Sequence, residues 1–195
     1  MNEFKSENNN QSFQAERQII NLTTFVEKKK SVLADIVLKL SKIDLEKPRE
    51  ASYTIPLEYT IEDKIGHNNV VGYKWLIEDY GVYGKELDDK YDGLDEEAPG
   101  RKLKLFRLIT DTYKIHLGRY QTENPKSELL IIIQSNADKI IHDVIEDLIN
   151  KLLQSDNYDE NITMEEYRIS IQIIVAHAFI HCKILENPKK NDNSN

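Results

Sequence analysis

Cysteine is nearly absent: Cys182 is the only one in 195 residues. A lone thiol cannot form an internal disulfide, which agrees with a reducing compartment. Glycine and proline are also scarce, seven and five respectively, so turns are few and long helices are favoured. No long apolar run exists. The longest, Leu129 to Ile133, falls far short of the roughly 20 residues that a membrane span requires. Met1 to Gln11 is polar and rich in asparagine, without the basic flank and apolar centre of a signal peptide, and a cytoplasmic location is expected. A basic excess is missing as well. The formal net charge is −8, and residues 57–97 alone hold twelve acidic and four basic side chains. Nucleic-acid backbones are bound through fields of lysine and arginine that release counterions, so the balance argues against direct nucleic-acid binding. The basic clusters Lys28-Lys29-Lys30 and Arg101-Lys102-Lys104-Arg107 read as solvated helix faces.

What is present is helical periodicity. The last helix is the expected centre, opened by a capping box in which Thr163 and Glu166 satisfy each other's backbone N–H groups, and stopped by Asn187-Pro188. Between them apolar residues run almost all the way round, so several neighbours must bury it. The preceding helix is expected from Lys126, after an Asn124-Pro125 start, to about Leu153, and packs beside the last one. Another is expected from Arg101 to about Tyr120, burying Leu103, Phe106, Ile109, Tyr113 and Leu117. Lys85 to Leu94 reads as a helix with Leu87, Tyr91 and Leu94 inward. Thr60 and Asp63 form a second capping box for a short turn, and Asn68 or Asn69 is placed to cap the helix carrying Val70, Tyr73, Ile77 and Tyr80.

Toward the N-terminus, Ile19, Leu22, Val26, Lys29, Leu33, Ile36, Leu40 and Ile43 alternate steps of three and four, the seam of a coiled coil interrupted at Lys29. That stripe either covers the chain's own domain or makes a homo-oligomer or partner seam through Leu33 and Leu40. A break near Lys28 to Ser31 is compatible with the residues there. Residues 54–61 alternate like a strand, but Pro56 cannot donate to a ladder and no second strand is evident, so a short extended arm is expected. The fold class is therefore all-α, a bundle of about five to six helices. Its expected organisation is a disordered tail (1–14), a long N-terminal helix (15–44), a helical domain (53–188) and a second disordered tail (189–195).

Candidate chemistry is thin. His177 and His181 stand four apart, on one side of a helix, beside Cys182, and two such histidines can share a zinc ion, with His142 as a conceivable further ligand. The glutamate that follows the first histidine in zinc proteases is replaced by Ala178, and the plain reading is histidines packed in a core. The Asp88 to Glu97 segment mimics a calcium loop at its glycine only: position three is Lys90 and position twelve is Pro99. It reads as a charged turn or as an acidic face for a basic partner. Helical ribonuclease toxins place an arginine four to six residues ahead of a histidine, whereas Arg107 with His116 and Arg168 with His177 have eight between them. No phosphate-cradling glycine loop and no assembled nucleophile and base are visible.

The segments Ile61-Glu62-Asp63-Lys64-Ile65-Gly66-His67-Asn68-Asn69-Val70, Tyr73-Lys74, Ile77-Glu78-Asp79-Tyr80 and Tyr83-Gly84-Lys85 resemble the opening of C-terminal domains in bacterial ABC-three-component systems of the Lamassu-type antiphage group. Tyr91-Asp92-Gly93-Leu94-Asp95 and the stretch Ala178 to Pro188 are similar to that pattern too, so the likeness covers about residues 53–188. The resemblance implies a domain that joins an effector, often a nuclease, to an ATPase of the structural-maintenance-of-chromosomes kind. Only about 50 residues precede the match, so a separate, non-enzymatic docking subunit without cofactor or metal is expected. Its expected partner-facing residues are Tyr73, Ile77, Tyr80, Asp88, Asp89 and Asp92, with Leu33 and Leu40 on the N-terminal seam. A small helical nuclease or toxin using His177, His181 or His142, and a self-associating coiled-coil scaffold, are the alternatives.

Overall fold

In the computed structural model, which describes residues 29–43, 59–181 and 183–188, the chain is all-α. Among the described residues it forms seven helices and no strand: α1 (Val32–Leu40), α2 (Ile61–His67), α3 (Lys74–Gly81), α4 (Gly84–Glu97), α5 (Arg101–Glu123), α6 (Leu129–Leu153) and α7 (Met164–Ile180). Expectations for residues 1–28, for the arm up to residue 58, for Cys182 and for the tail from residue 189 fall outside the described residues. The last position of the arm, Ile61, opens α2.

The apolar circumference of α7 makes it the centre. It packs against α1, α3, α4, α5 and α6, and every residue from Ile173 to Ile180 is buried. Each large side chain so buried contributes about 1.5–3 kcal/mol. α5 and α6 form an extensive pair, and α7 packs against both the short α3 and the long α6, most closely against α3. At Gly81 α3 comes close to α7: a Cβ there would stand 3.1 Å from Ile180 Cδ1, so the isoleucine side chain would have to give way by a few tenths of an ångström.

Both capping boxes form. Asp63 N donates to Thr60 Oγ1 at 3.0 Å and Thr60 N to Asp63 Oδ2 at 2.9 Å, and Thr163 and Glu166 repeat the exchange at α7. Other boundaries are set from a distance. α3 has no cap from Asn68 or Asn69; instead Asp138 of α6 accepts from the N–H groups of Val71, Gly72 and Tyr73 at 3.2, 2.9 and 3.2 Å. These N–H groups belong to the turn that leads into α3, so the carboxylate pins the entry to the helix and adds the charge that a helix N-terminus favours. Asn124 closes α5 rather than opening α6, which starts at Leu129 after a turn containing Pro125.

α1 starts at Val32. Ser31 caps it through Leu33 N at 3.2 Å, and Asn157 of the α6–α7 connection accepts from Ser31 N at 2.7 Å and donates to Asp35 Oδ1 at 2.7 Å. Lys29 and Lys30 are not helical. Leu33, Ile36 and Leu40 are 0%, 0% and 3% exposed, so this part of the stripe covers the chain's own core and is not an open seam for another chain.

One register differs from the apolar pattern. Leu103 is 71% exposed and Leu105 is buried in its place. Arg101 pairs with Asp35 and Glu97, Lys102 Nζ with Asp92 at 2.7 Å, and Lys102 N donates to Asp95 Oδ1 at 2.8 Å. These contacts turn the face holding 101, 102 and 105 toward α1 and α4, which leaves Leu103 outward.

Candidate functional site

The C-terminal end of α7 is an assembly of distant pieces. α7 stops at Ile180, seven residues before Asn187, and the chain then folds back with Leu185 at a φ of 59°. Lys64 of α2, 1% exposed, lays its ammonium against this end: Nζ donates to Phe179 O at 2.7 Å and Ile184 O at 3.1 Å, and sits 4.6 Å from the Phe179 ring centroid. The last carbonyls of a helix lack intrahelical donors and carry partial negative charge, so a cation there supplies both hydrogen bonds and favourable electrostatics. Buried Asn68 holds the next residues in a reciprocal pair with Glu186, donating to its carbonyl at 2.7 Å and accepting from its N–H at 2.9 Å.

This anchored end carries His177 and His181. Their rings stack at 3.9 Å between centroids. From α4, Asp88 reaches both: its Oδ1 lies 3.3 Å from His177 Nε2 and its Oδ2 3.9 Å from His181 Nε2. The one wall is aromatic, with Tyr91 edge-on to His177 at 5.1 Å and Phe106 stacked on it at 6.4 Å. Burial holds the His177 imidazole below its ordinary pKa, opposed by Asp88, and burial together with His177 itself pushes His181 down to about 4. Both rings are thus neutral near pH 7. A carboxylate faced by two neutral imidazoles is a donor set suited to a metal ion: one ligand atom from each of Asp88, His177 and His181 lies within 4.8 Å of the others.

The other sequence candidates separate. His142, on α6, is not in this cluster; its Nδ1 lies 3.0 Å from the Tyr73 hydroxyl, which joins α6 to the start of α3. Tyr73 is half-buried there, and Ile77 is 1% exposed, a core residue unable to face a partner. Tyr80 is half-buried between Trp75 and Tyr83, at centroid separations of 6.3 and 6.1 Å. The acidic segment serves the chain's own contacts in large part: Asp92 pairs with Lys102, Asp95 caps α5, and Glu97 meets Lys39 at 2.6 Å and Arg101 at 2.9 Å. Asp89 is exposed and lines a surface groove between α1 and α4 with Asp35, Lys39, Lys42 and Lys90.

The exposure of Trp75 and the meeting of Asp88 with His177 were not legible in the sequence pattern. Trp75, the only tryptophan, is 49% exposed on α3, flanked in the chain by exposed Val71 and Val82. Its position beside the buried pair Leu76-Ile77, off the Tyr73, Ile77, Tyr80 stripe, was the available signal. Asp88 was singled out only as part of the acidic segment; its link to His177 is purely tertiary and left no signal in the sequence.

Over residues 31–186 the chain matches the family model of C-terminal domain 10 of the ABC-three component (ABC-3C) systems, and it belongs to that family. It is a component of a multi-protein antiphage system of that kind. No curated protein and no solved structure matches it. Among the described residues no helix is long and apolar enough to cross a membrane.

Proposed function

We propose that the chain is a non-enzymatic docking subunit that joins an effector, of the nuclease kind, to an ATPase of the structural-maintenance-of-chromosomes kind. The observation that carries this reading is the exposed aromatic edge of α3. Trp75 is half in water yet held edge-on against Tyr80, which itself rests on buried Tyr83. Tryptophan and tyrosine fixed in this way lose little side-chain freedom on binding, which is why they dominate the energetics of protein interfaces. Lys74, Glu78 and Asp79 surround Trp75 in sequence and are exposed, a polar rim about an apolar anchor. α3 is also fixed to the rest of the domain at its start by Asp138 and along its length by α7, so the anchor is presented on a rigid element.

The test is co-purification. The tagged full-length chain is expressed with the other subunits of its system, and what remains bound through a salt wash is identified. The expected result is recovery of the ATPase and the effector with the unaltered chain and their loss with Trp75→Glu. The variant should stay folded with a modest fall in melting temperature, since it gives up the edge contact with Tyr80, worth about 0.5–1.5 kcal/mol, and leaves the core untouched. Recovery of the chain alone contradicts the docking role, and undiminished recovery with Trp75→Glu contradicts the α3 surface.

A small helical nuclease or toxin has one observation in its favour, the meeting of His177 and His181 with Asp88. A nuclease activity lost in His181→Ala with the fold intact would move the reading there. The coiled-coil scaffold has less support, because Leu33 and Leu40 are covered by the chain's own core.

A further inference from the structure

The geometry points to a divalent transition-metal site of the zinc class formed by Asp88, His177 and His181. The inference is independent of the docking role and asks for no catalysis. Its basis is three donor atoms that converge from two helices with no relation in sequence. Around a tetrahedral zinc with bonds of about 2.05 Å, ligand atoms are roughly 3.3 Å apart. Asp88 Oδ1 and His177 Nε2 already stand at 3.3 Å, and Asp88 Oδ2 and His181 Nε2 at 3.9 Å. These two distances run to different oxygens of the carboxylate; with one ligand atom from each residue the three atoms lie within 4.8 Å of one another, and rotations at His181 and Asp88, both partly open to solvent, are required to draw them to bonding distances.

A second observation points the same way. His177 is 3% exposed, and its Nδ1 has no hydrogen-bond partner. Its Nε2 faces Asp88 Oδ1 at 3.3 Å, out of line for a well-formed hydrogen bond although the carboxylate still favours a proton there. A deeply buried imidazole nitrogen normally has a well-aligned partner. A metal on Nε2 would supply one at that atom.

The donor set selects the kind of ion. Lys102 and Lys183 act on His181 as positive charges; the first is tied to Asp92 at 2.7 Å and the second lies 5.3 Å from the Phe106 ring centroid. Their field opposes any divalent cation alike, and hard cations such as calcium or magnesium, which need several oxygen ligands, find a single carboxylate here. Two imidazole nitrogens and one carboxylate instead suit zinc and its first-row neighbours, whose bonds to nitrogen are partly covalent. Three protein ligands leave a fourth position on the open side of Asp88 and His181, where the two lysines favour an anionic occupant.

The test uses the full-length protein stripped of metal with a chelator. Cobalt(II) is titrated in and its visible absorption followed, then zinc is titrated by calorimetry against the unaltered chain, Asp88→Asn and His181→Ala. Saturable binding of one ion per chain is expected, weakened by at least about tenfold in each variant. Circular dichroism checks that the variants fold. A readout on the unaltered chain stands apart from them: zinc must shift the imidazole resonances of His177 and His181 and leave those of His116 and His142 in place. Absence of saturable binding, equal affinity in folded variants, or shifts confined to the other histidines would overturn the assignment.

Discussion

The two ends of α7 are stabilised in opposite ways. At the start, Thr163 and Glu166 exchange hydrogen bonds across three residues, and the Tyr167 hydroxyl fixes the loop through the Asp159 backbone. At the finish, the carbonyls are met by Lys64, 115 positions earlier than Phe179, and the chain beyond is held by Asn68. The local end is a helix start and nothing more. The remotely held end is where Asp88, His177 and His181 meet, and its geometry depends on α2 and α4 arriving in place.

That contrast can be broken. The largest expected effect is at Lys64: Lys64→Met keeps the bulk but strips two buried carbonyls of their donor, costing about 3 kcal/mol in a urea denaturation experiment. A loss similar to that of an exposed lysine would show that α2 does not hold this end. Next is Asp138→Ala, which removes a carboxylate serving three N–H groups at the start of α3 and should cost about 2 kcal/mol. Hydrogen exchange should show the loss concentrated in α3.

A smaller effect is set by pH. His177 and His181 have folded pKa values below the unfolded value of about 6.5, so between that pH and about 4 the unfolded chain binds protons that the folded chain refuses. The metal-free protein should therefore be fully stable above pH 6.5 and lose stability as pH falls toward 4, the exposure of His181 to water reducing the size of the loss. The groups facing the pair are Asp88, Lys102 and Lys183, and Asp88→Asn should deepen the loss by removing the one neighbour that favours the protonated rings. A flat stability profile over that range would contradict the assignment. The smallest effect belongs to the local end, where Thr163→Ala should cost about 1 kcal/mol, seen as a modest shift of the urea midpoint.

The same division explains what could be read from the sequence. Thr60 with Asp63, Thr163 with Glu166, and the apolar circumference of α7 are local signals, and each matches the structure. So do the inward Leu87, Tyr91 and Leu94 of α4. Leu103 was misplaced because polar Arg101 and Lys102 occupy the inward side of α5, where ion pairs with α1 and α4 replace apolar contact. Asn68 was placed as a local cap and instead reaches Glu186, and the turn into α3 is held by Asp138 on another helix. His142 was offered as a third ligand because α6 and α7 are neighbours, but its face of α6 turns to Tyr73. In each case a polar side chain has its partner far away in sequence, where spacing carries no information.

The most direct measurement is hydrogen exchange along α7, compared among the unaltered chain, Lys64→Met and Thr163→Ala. The account predicts that Lys64→Met opens residues near Ile180 and His181 first, with Met164 to Tyr167 still protected, and that Thr163→Ala does the reverse. Uniform loss of protection along α7 in both variants, or opening at the start of the helix in Lys64→Met, would contradict it.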